Sequence, residues 1–262
     1  MQTIPAEQKY ARQRRLLRRS NWKSRENLTA AQNSNMVNVE SFAEAGDPPV
    51  RGFLHSPENA SGDALVLTHG AGSNAQAPLL RGLAETFASS GFTVLRCDLP
   101  YRQVRSFGPP GPGDAARDRA GLKNAIAALQ RLMVGQQKSQ RVFLGGHSYG
   151  GRQSSMLCAE QPDLVAGLLL LSYPLHPPRK PEQQRTQHLP DLRTPTLFVH
   201  GTRDPFGAIE ELQRAMKMIP ARTKLLTIEG AGHDLGFKGK AKQDGLALEI
   251  LTAFQQSGFD RS

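Results

Sequence analysis

A chain of 262 residues with a net charge of +10 and two cysteines is long enough for one large α/β domain without disulfide or metal support. Two cysteines, Cys97 and Cys158, cannot build a disulfide framework, and there is no apolar run of about 18 residues to span a membrane. The charge is uneven: eight basic against two acidic residues in 1–35 give +6 there and leave +4 for the rest, so the high isoelectric point does not point the main body of the chain at nucleic acid.

Taken in order, segment 1–36 reads as a basic, disordered tail or leader. Its cluster Arg14-Arg15-Leu16-Leu17-Arg18-Arg19 is compatible with a polyanion or an anionic membrane surface. Only Tyr10 and Trp22 interleave it, so an inert solvated tail is the expectation, as is an over-long reading frame with Met36 as the true start. The N-terminus lacks the apolar centre of a secretory signal, and with so few cysteines a cytoplasmic protein is expected. A domain over 37–262 follows. Stretches 37–39 and 50–53 read as antiparallel edge strands around a turn at 45–49. Apolar runs at 64–68, 93–95, 142–144, 168–171, 196–199 and 225–228 read as buried strands. Between and after them, Leu79, Leu80, Leu83, Ala84 and Phe87 recur at helical spacing. So do residues through Ile126, Leu129 and Leu132, and segments around 156–160, 209–218 and 246–254. Apolar strands alternating with amphipathic helices predict an α/β fold: about eight strands, mostly parallel, covered by helices on both faces. The segment 173–194 holds five prolines and is too short for a lid domain, which predicts an accessible pocket.

The most informative stretch is Val142-Phe143-Leu144-Gly145-Gly146-His147-Ser148-Tyr149-Gly150-Gly151. It places G-x-S-x-G between a strand and a helix, where a serine on a sharp turn is lifted out of the sheet edge. Such a hydroxyl becomes a nucleophile only when a base takes its proton and an acid orients that base. In a parallel sheet both belong at C-terminal strand ends. The strand at 196–199 runs on to Asp204, and the strand at 225–228 to His233 on a glycine-rich loop. Ser148, Asp204, His233 is the chain order Ser…Asp…His. Taken singly, Asp204 is equally suited to cap a helix starting near Pro205, and His233 to pair with the adjacent Asp234. An oxyanion needs backbone donors. Tyr149 N–H follows the nucleophile, and the loop His69-Gly70-Ala71-Gly72-Ser73-Asn74 offers Ala71 N–H, with Gly72 as the fallback.

These motifs resemble the α/β-hydrolase superfamily over roughly 37–254. The segment Asp98-Leu99-Pro100-Tyr101-Arg102 is similar to one in its small, lidless dienelactone-hydrolase-like and testis-expressed-protein-like members. True dienelactone hydrolases use cysteine, so the serine here does not support that specific activity. The resemblance implies a serine hydrolase that needs neither cofactor nor metal and acts on small or short-acyl carboxylic esters through an acyl-enzyme. A thioesterase or peptidase on the same triad, and a non-catalytic scaffold, are the alternatives. Gly72, Tyr101 and Arg102 are candidate substrate contacts. Arg102, in the loop after the fourth strand, either holds an anionic group of the substrate or pairs structurally with Asp98 or solvent. No obligate nucleic acid and no membrane span are expected, the partner is a small-molecule ester, and oligomeric state is open. Deleting 1–35 is expected to leave activity on a small ester nearly unchanged.

Overall fold

The computed structural model describes residues 36–134, 140–236 and 243–259. The expectations for the basic segment 1–35 lie outside these residues. Eight strands form one sheet: β1 (Val37–Glu44), β2 (Val50–Pro57), β3 (Asp63–Thr68), β4 (Thr93–Cys97), β5 (Arg141–His147), β6 (Gly167–Leu171), β7 (Thr196–Gly201) and β8 (Thr223–Ile228). Their spatial order is β1-β2-β4-β3-β5-β6-β7-β8. β1 and β2 are antiparallel to each other, and β2 is antiparallel to β4. All other pairs are parallel.

Among the described residues six helices accompany the sheet: α1 (Pro78–Ser89), α2 (Pro100–Val104), α3 (Asp114–Met133), α4 (Tyr149–Glu160), α5 (Ile209–Met216) and α6 (Gln243–Gln255). Because successive strand side chains point to opposite faces, the apolar runs divide into two cores. Val66, Leu144, Leu168, Leu170 and Phe198 meet Leu122, Ile126 and Leu129 of α3 and Leu157 of α4 on one face. Leu65, Leu67, Phe143, Leu169, Leu171 and Val199 meet Leu83 and Phe87 of α1 and Ile250 and Phe254 of α6 on the other. The second core is aromatic, with Phe143 and Phe87 edge-on to Phe254 at ring separations of 5.1 and 5.3 Å. Truncating Phe143 or Phe254 to Ala would cost about 3–5 kcal/mol.

One local feature departs from the expectations, and the lidless segment 173–194 agrees with them. The chain after β4 is a short helix, α2, not a loop. Pro100 sets its first turn, and Arg102 N–H and Gln103 N–H both donate to Leu99 O, at 2.8 and 3.2 Å. Five residues are too few for a readable periodicity. The proline-rich segment 173–194 contains only one 3₁₀ turn, Leu189–Asp191. It is pinned rather than hinged, with Leu175, Leu189 and Leu192 in the α3/α4 core and Tyr173 OH donating to Arg185 O at 2.6 Å. No lid domain covers the sheet edge among the described residues.

Candidate active site

The elbow after β5 is built by absence of side chains. A Cβ at Gly146 would lie 2.5 Å from Gly150 C and Gly151 N, one at Gly150 2.5 Å from His69 O, and one at Gly151 2.6 Å from Gly146 O. Strand and helix therefore approach closer than any other residue allows, and Ser148 takes the turn at φ 50°, ψ −115°. That backbone is costly for a residue with a Cβ. It is held by Ser148 N–H donating to Leu171 O at 2.8 Å and Arg152 N–H donating to Ser148 O at 2.9 Å. The serine thus stands at the N-terminus of α4, where the helix dipole favours negative charge.

Gly201 does the equivalent work at the end of β7. A Cβ there would meet Ala231 O at 2.3 Å, so only glycine lets the loop after β7 lie against the loop after β8. Arg203 N–H closes the contact by donating to Ala231 O at 2.9 Å. Asp204 and His233 are brought together as a result. His233 Nδ1–H donates to Asp204 Oδ2 at 2.8 Å and Oδ1 at 3.0 Å, and Ser148 Oγ lies 2.8 Å from His233 Nε2. With Nδ1 protonated, Nε2 is the acceptor for the serine hydroxyl. Asp204's side chain is fully buried while His233's is 23 % exposed. Burial alone would raise the Asp204 carboxyl. The hydrogen bond and charge of His233, the Phe206 N–H at 2.9 Å and the nearby His200 outweigh it and hold the carboxyl below its usual range. The aspartate is therefore an anion at neutral pH.

The two simpler roles considered for these residues are not the ones they play. α5 starts at Ile209, so Asp204 does not cap it; the carboxylate caps the turn at Phe206 while holding His233. Asp234 accepts from Gly236 N–H at 3.1 Å instead of pairing with His233. The Phe206 ring covers the His233 ring at a centroid separation of 4.1 Å. His147 Nε2–H donates to His233 O at 2.8 Å. Burial lowers the His147 pKa to about 4, so it is neutral in this role.

Ser148 and His233 open into a cavity of about 660 Å³. Ala71, Gly72 and Ser73 form one side, Ala77, Pro78, Leu79 and Leu80 a second, and Pro205 and Phe206 a third. This is the size of a small-molecule site. Gly72 and Ala71 are thus beside Ser148. Among the described residues, neither the Ala71 nor the Tyr149 backbone N–H has an acceptor within the chain.

Tyr101 and Arg102 must be corrected as substrate contacts: both are buried, at 3 % and 7 % exposure, and neither lines the cavity. Tyr101 OH donates to Ala71 O at 2.8 Å. Arg102 donates to Ser73 O (2.8 Å), Ala71 O (3.0 Å), Arg105 O (3.0 Å) and Gly108 O (2.8 Å). Four carbonyls take four of the guanidinium's five N–H donors and the side chain is buried, so it is neither in solvent nor on Asp98, whose Oδ1 accepts from Ala75 N–H at 2.7 Å. The sequence reading missed Asp118 of α3, a fully buried carboxylate that accepts from Tyr149 OH at 2.7 Å and Tyr101 N–H at 3.1 Å. It lies 30 residues before Ser148 inside an ordinary amphipathic helix, and nothing in the local pattern marks it.

An open, mostly parallel sheet with a strained serine, a histidine and a buried aspartate at its C-terminal edge defines a class of proteins. Residues 61–255 match the family model described as an alpha/beta hydrolase domain, and the chain belongs to that family. Solved structures share the fold. A dienelactone hydrolase from Anabaena variabilis is 22 % identical, with a TM-score of 0.65 over 86 % of this chain and 99 % of that one. An alpha-beta serine hydrolase homologue from Coxiella burnetii is 19 % identical, with a TM-score of 0.62 over 83 % and 98 %. A lidless serine hydrolase from Xanthomonas campestris is 16 % identical, with a TM-score of 0.61 over 83 % and 94 %.

Proposed function

We propose that the protein is a serine hydrolase that cleaves small or short-acyl carboxylic esters through an acyl-enzyme. The observation that carries this reading is the continuous chain Ser148 Oγ, His233 Nε2, His233 Nδ1, Asp204 Oδ2, with both links at 2.8 Å, opening into a cavity of about 660 Å³. As Ser148 Oγ attacks the ester carbonyl, its proton passes to His233 Nε2, and the imidazolium formed is stabilised by the Asp204 anion. The carbonyl oxygen becomes an oxyanion facing Tyr149 N–H and Ala71 N–H, with Gly72 N–H as the alternative second donor. Collapse breaks the C–O bond, with His233 giving its proton to the leaving alcohol. Water activated by the same histidine then attacks the acyl-serine and regenerates the enzyme.

Support for small neutral esters comes from the cavity walls: Ala77, Pro78, Leu79, Leu80 and Phe206 are apolar, and no lysine or arginine stands among the described lining residues. A cytoplasmic location fits two buried, unbonded cysteines whose thiols burial pushes up to about 12. No helix among the described residues is long and apolar enough to cross a membrane.

The test is a fluorophosphonate probe together with nitrophenyl esters of graded chain length, thioesters and peptides, on wild type and Ser148→Ala. Ser148-dependent labelling and turnover of short esters are expected. Labelling with turnover of only thioesters or peptides would move the substrate class, and no labelling would end the hydrolase mechanism.

A further inference from the structure

Two carbonyl groups in the loop after β3 point away from the cavity. Gly70 O accepts from His69 Nδ1–H at 2.9 Å and Ser73 N–H at 3.0 Å, with Tyr101 OH at 3.3 Å. Ala71 O accepts from Tyr101 OH at 2.8 Å and Arg102 Nη2–H at 3.0 Å. In a trans peptide the C=O and the following N–H are antiparallel. Fixing Gly70 O on the inner side therefore aims Ala71 N–H outward, and fixing Ala71 O aims Gly72 N–H outward, toward the space beside Ser148.

One of the groups that fix these carbonyls, Tyr101, is itself tied to the other donor. Asp118 of α3 accepts from Tyr101 N–H through one oxygen and from Tyr149 OH through the other. Tyr149 is the residue whose own N–H follows the nucleophile. The Tyr101 and Tyr149 rings meet edge to face, 5.9 Å apart. A buried carboxylate with two donors and a buried guanidinium with four acceptors are costly to build and have few ways to rearrange. They connect α2, α3 and α4 at the one place where both proposed donor loops converge.

We infer that Tyr101, Arg102 and Asp118 are positioning residues that fix the distance and direction between the amide donors of the loop after β3 and the Tyr149 amide, and so set the oxyanion site. The inference rests on the serine-hydrolase reading above. None of the three touches substrate; each acts through a backbone amide.

The test uses Tyr101→Phe, which removes one hydroxyl and keeps the ring, alongside Arg102→Lys and Asp118→Asn. For each, kcat and KM on a short nitrophenyl ester are measured, with inhibition by a trifluoromethyl ketone, which forms a tetrahedral adduct with the serine, and by the corresponding trifluoromethyl carbinol, which has no carbonyl and forms none. Expected is a fall in kcat of about tenfold to a hundredfold, below the loss for a whole donor. KM and carbinol binding should stay within about twofold, and trifluoromethyl ketone affinity should fall in step with kcat. A merely structural role would lower the melting temperature without separating the two inhibitors. If Tyr101→Phe does not fold, Tyr149→Phe, which removes only the bond to Asp118, takes its place with the same expectation. Unchanged kcat in a folded variant, or a raised KM with kcat intact, overturns the inference. Wild-type protein that turns over esters and labels at Ser148 while the variants match it would sink this inference alone. Wild-type protein that does neither would sink the hydrolase reading and this inference together.

Discussion

His147 Nε2–H donates to the carbonyl oxygen of His233 at 2.8 Å, so the residue before the elbow serine holds the backbone of the histidine that faces it. Their rings lie 5.1 Å apart. The contact joins the C-terminal end of β5 to the loop after β8 across two intervening strands. Since burial keeps His147 neutral down to about pH 4, its hydrogen bond does not titrate in the working range of a serine hydrolase. His147→Phe should keep the packing and lose the bond, lowering kcat by about tenfold through a loosened His233 loop. The acid limb of the pH–rate profile should not move. A moved limb would mean that His147 itself handles a proton.

Ser148→Ala and His233→Ala should each reduce ester hydrolysis by a factor on the order of 10⁴ or more, and the double variant little further, because such groups act as a unit. Asp204→Asn should be of similar severity, by favouring the wrong tautomer of His233. Circular dichroism checks that the fold persists. Retention of most activity in Ser148→Ala would remove the nucleophile from the proposal.

Substrate charge offers a sharper test of the cavity. Its described walls hold one acidic side chain, Asp234, besides the histidines and apolar groups, and Arg102 is spent on carbonyls. A neutral ester should therefore be preferred over an isosteric carboxylate-bearing one, by about tenfold or about 1.4 kcal/mol. In Arg102→Gln both kcat/KM values should fall while their ratio stays constant. A selective loss on the anionic ester would put the guanidinium back in contact with substrate.

Stability should fall as the pH drops below about 6.5, through histidines that burial keeps neutral in the native protein. His55, His147 and His188 are each lowered from about 6.5 to about 4, chiefly by burial, with Arg96 adding to the effect at His55 and Arg152 at His188. Between those values the unfolded chain binds protons that the native protein does not, so stability present above pH 6.5 is lost progressively toward pH 4. Each histidine contributes a slope of up to about 1.4 kcal/mol per pH unit. Urea midpoints at pH 7, 6 and 5 should decline in order. A flat series would show that these rings are not held neutral.

The sequence by itself determined the strands, the major helices and the place of Ser148, Asp204 and His233 at strand ends, because those rest on local rules. Apolar runs, helical spacing, and glycines at a turn are read within a few residues of one another. Tertiary structure alone decided what Arg102 and Asp118 do. Beside Asp98 in sequence, Arg102 had three plausible fates, and it met four backbone carbonyls because α2 turns it under the loop after β3. Asp118 looks like the polar face of α3 until the packing of α3 against α2 and α4 buries it between two tyrosines. A buried charge takes its meaning from partners distant in the chain, and hydrogen-bond geometry between elements leaves no period in a sequence.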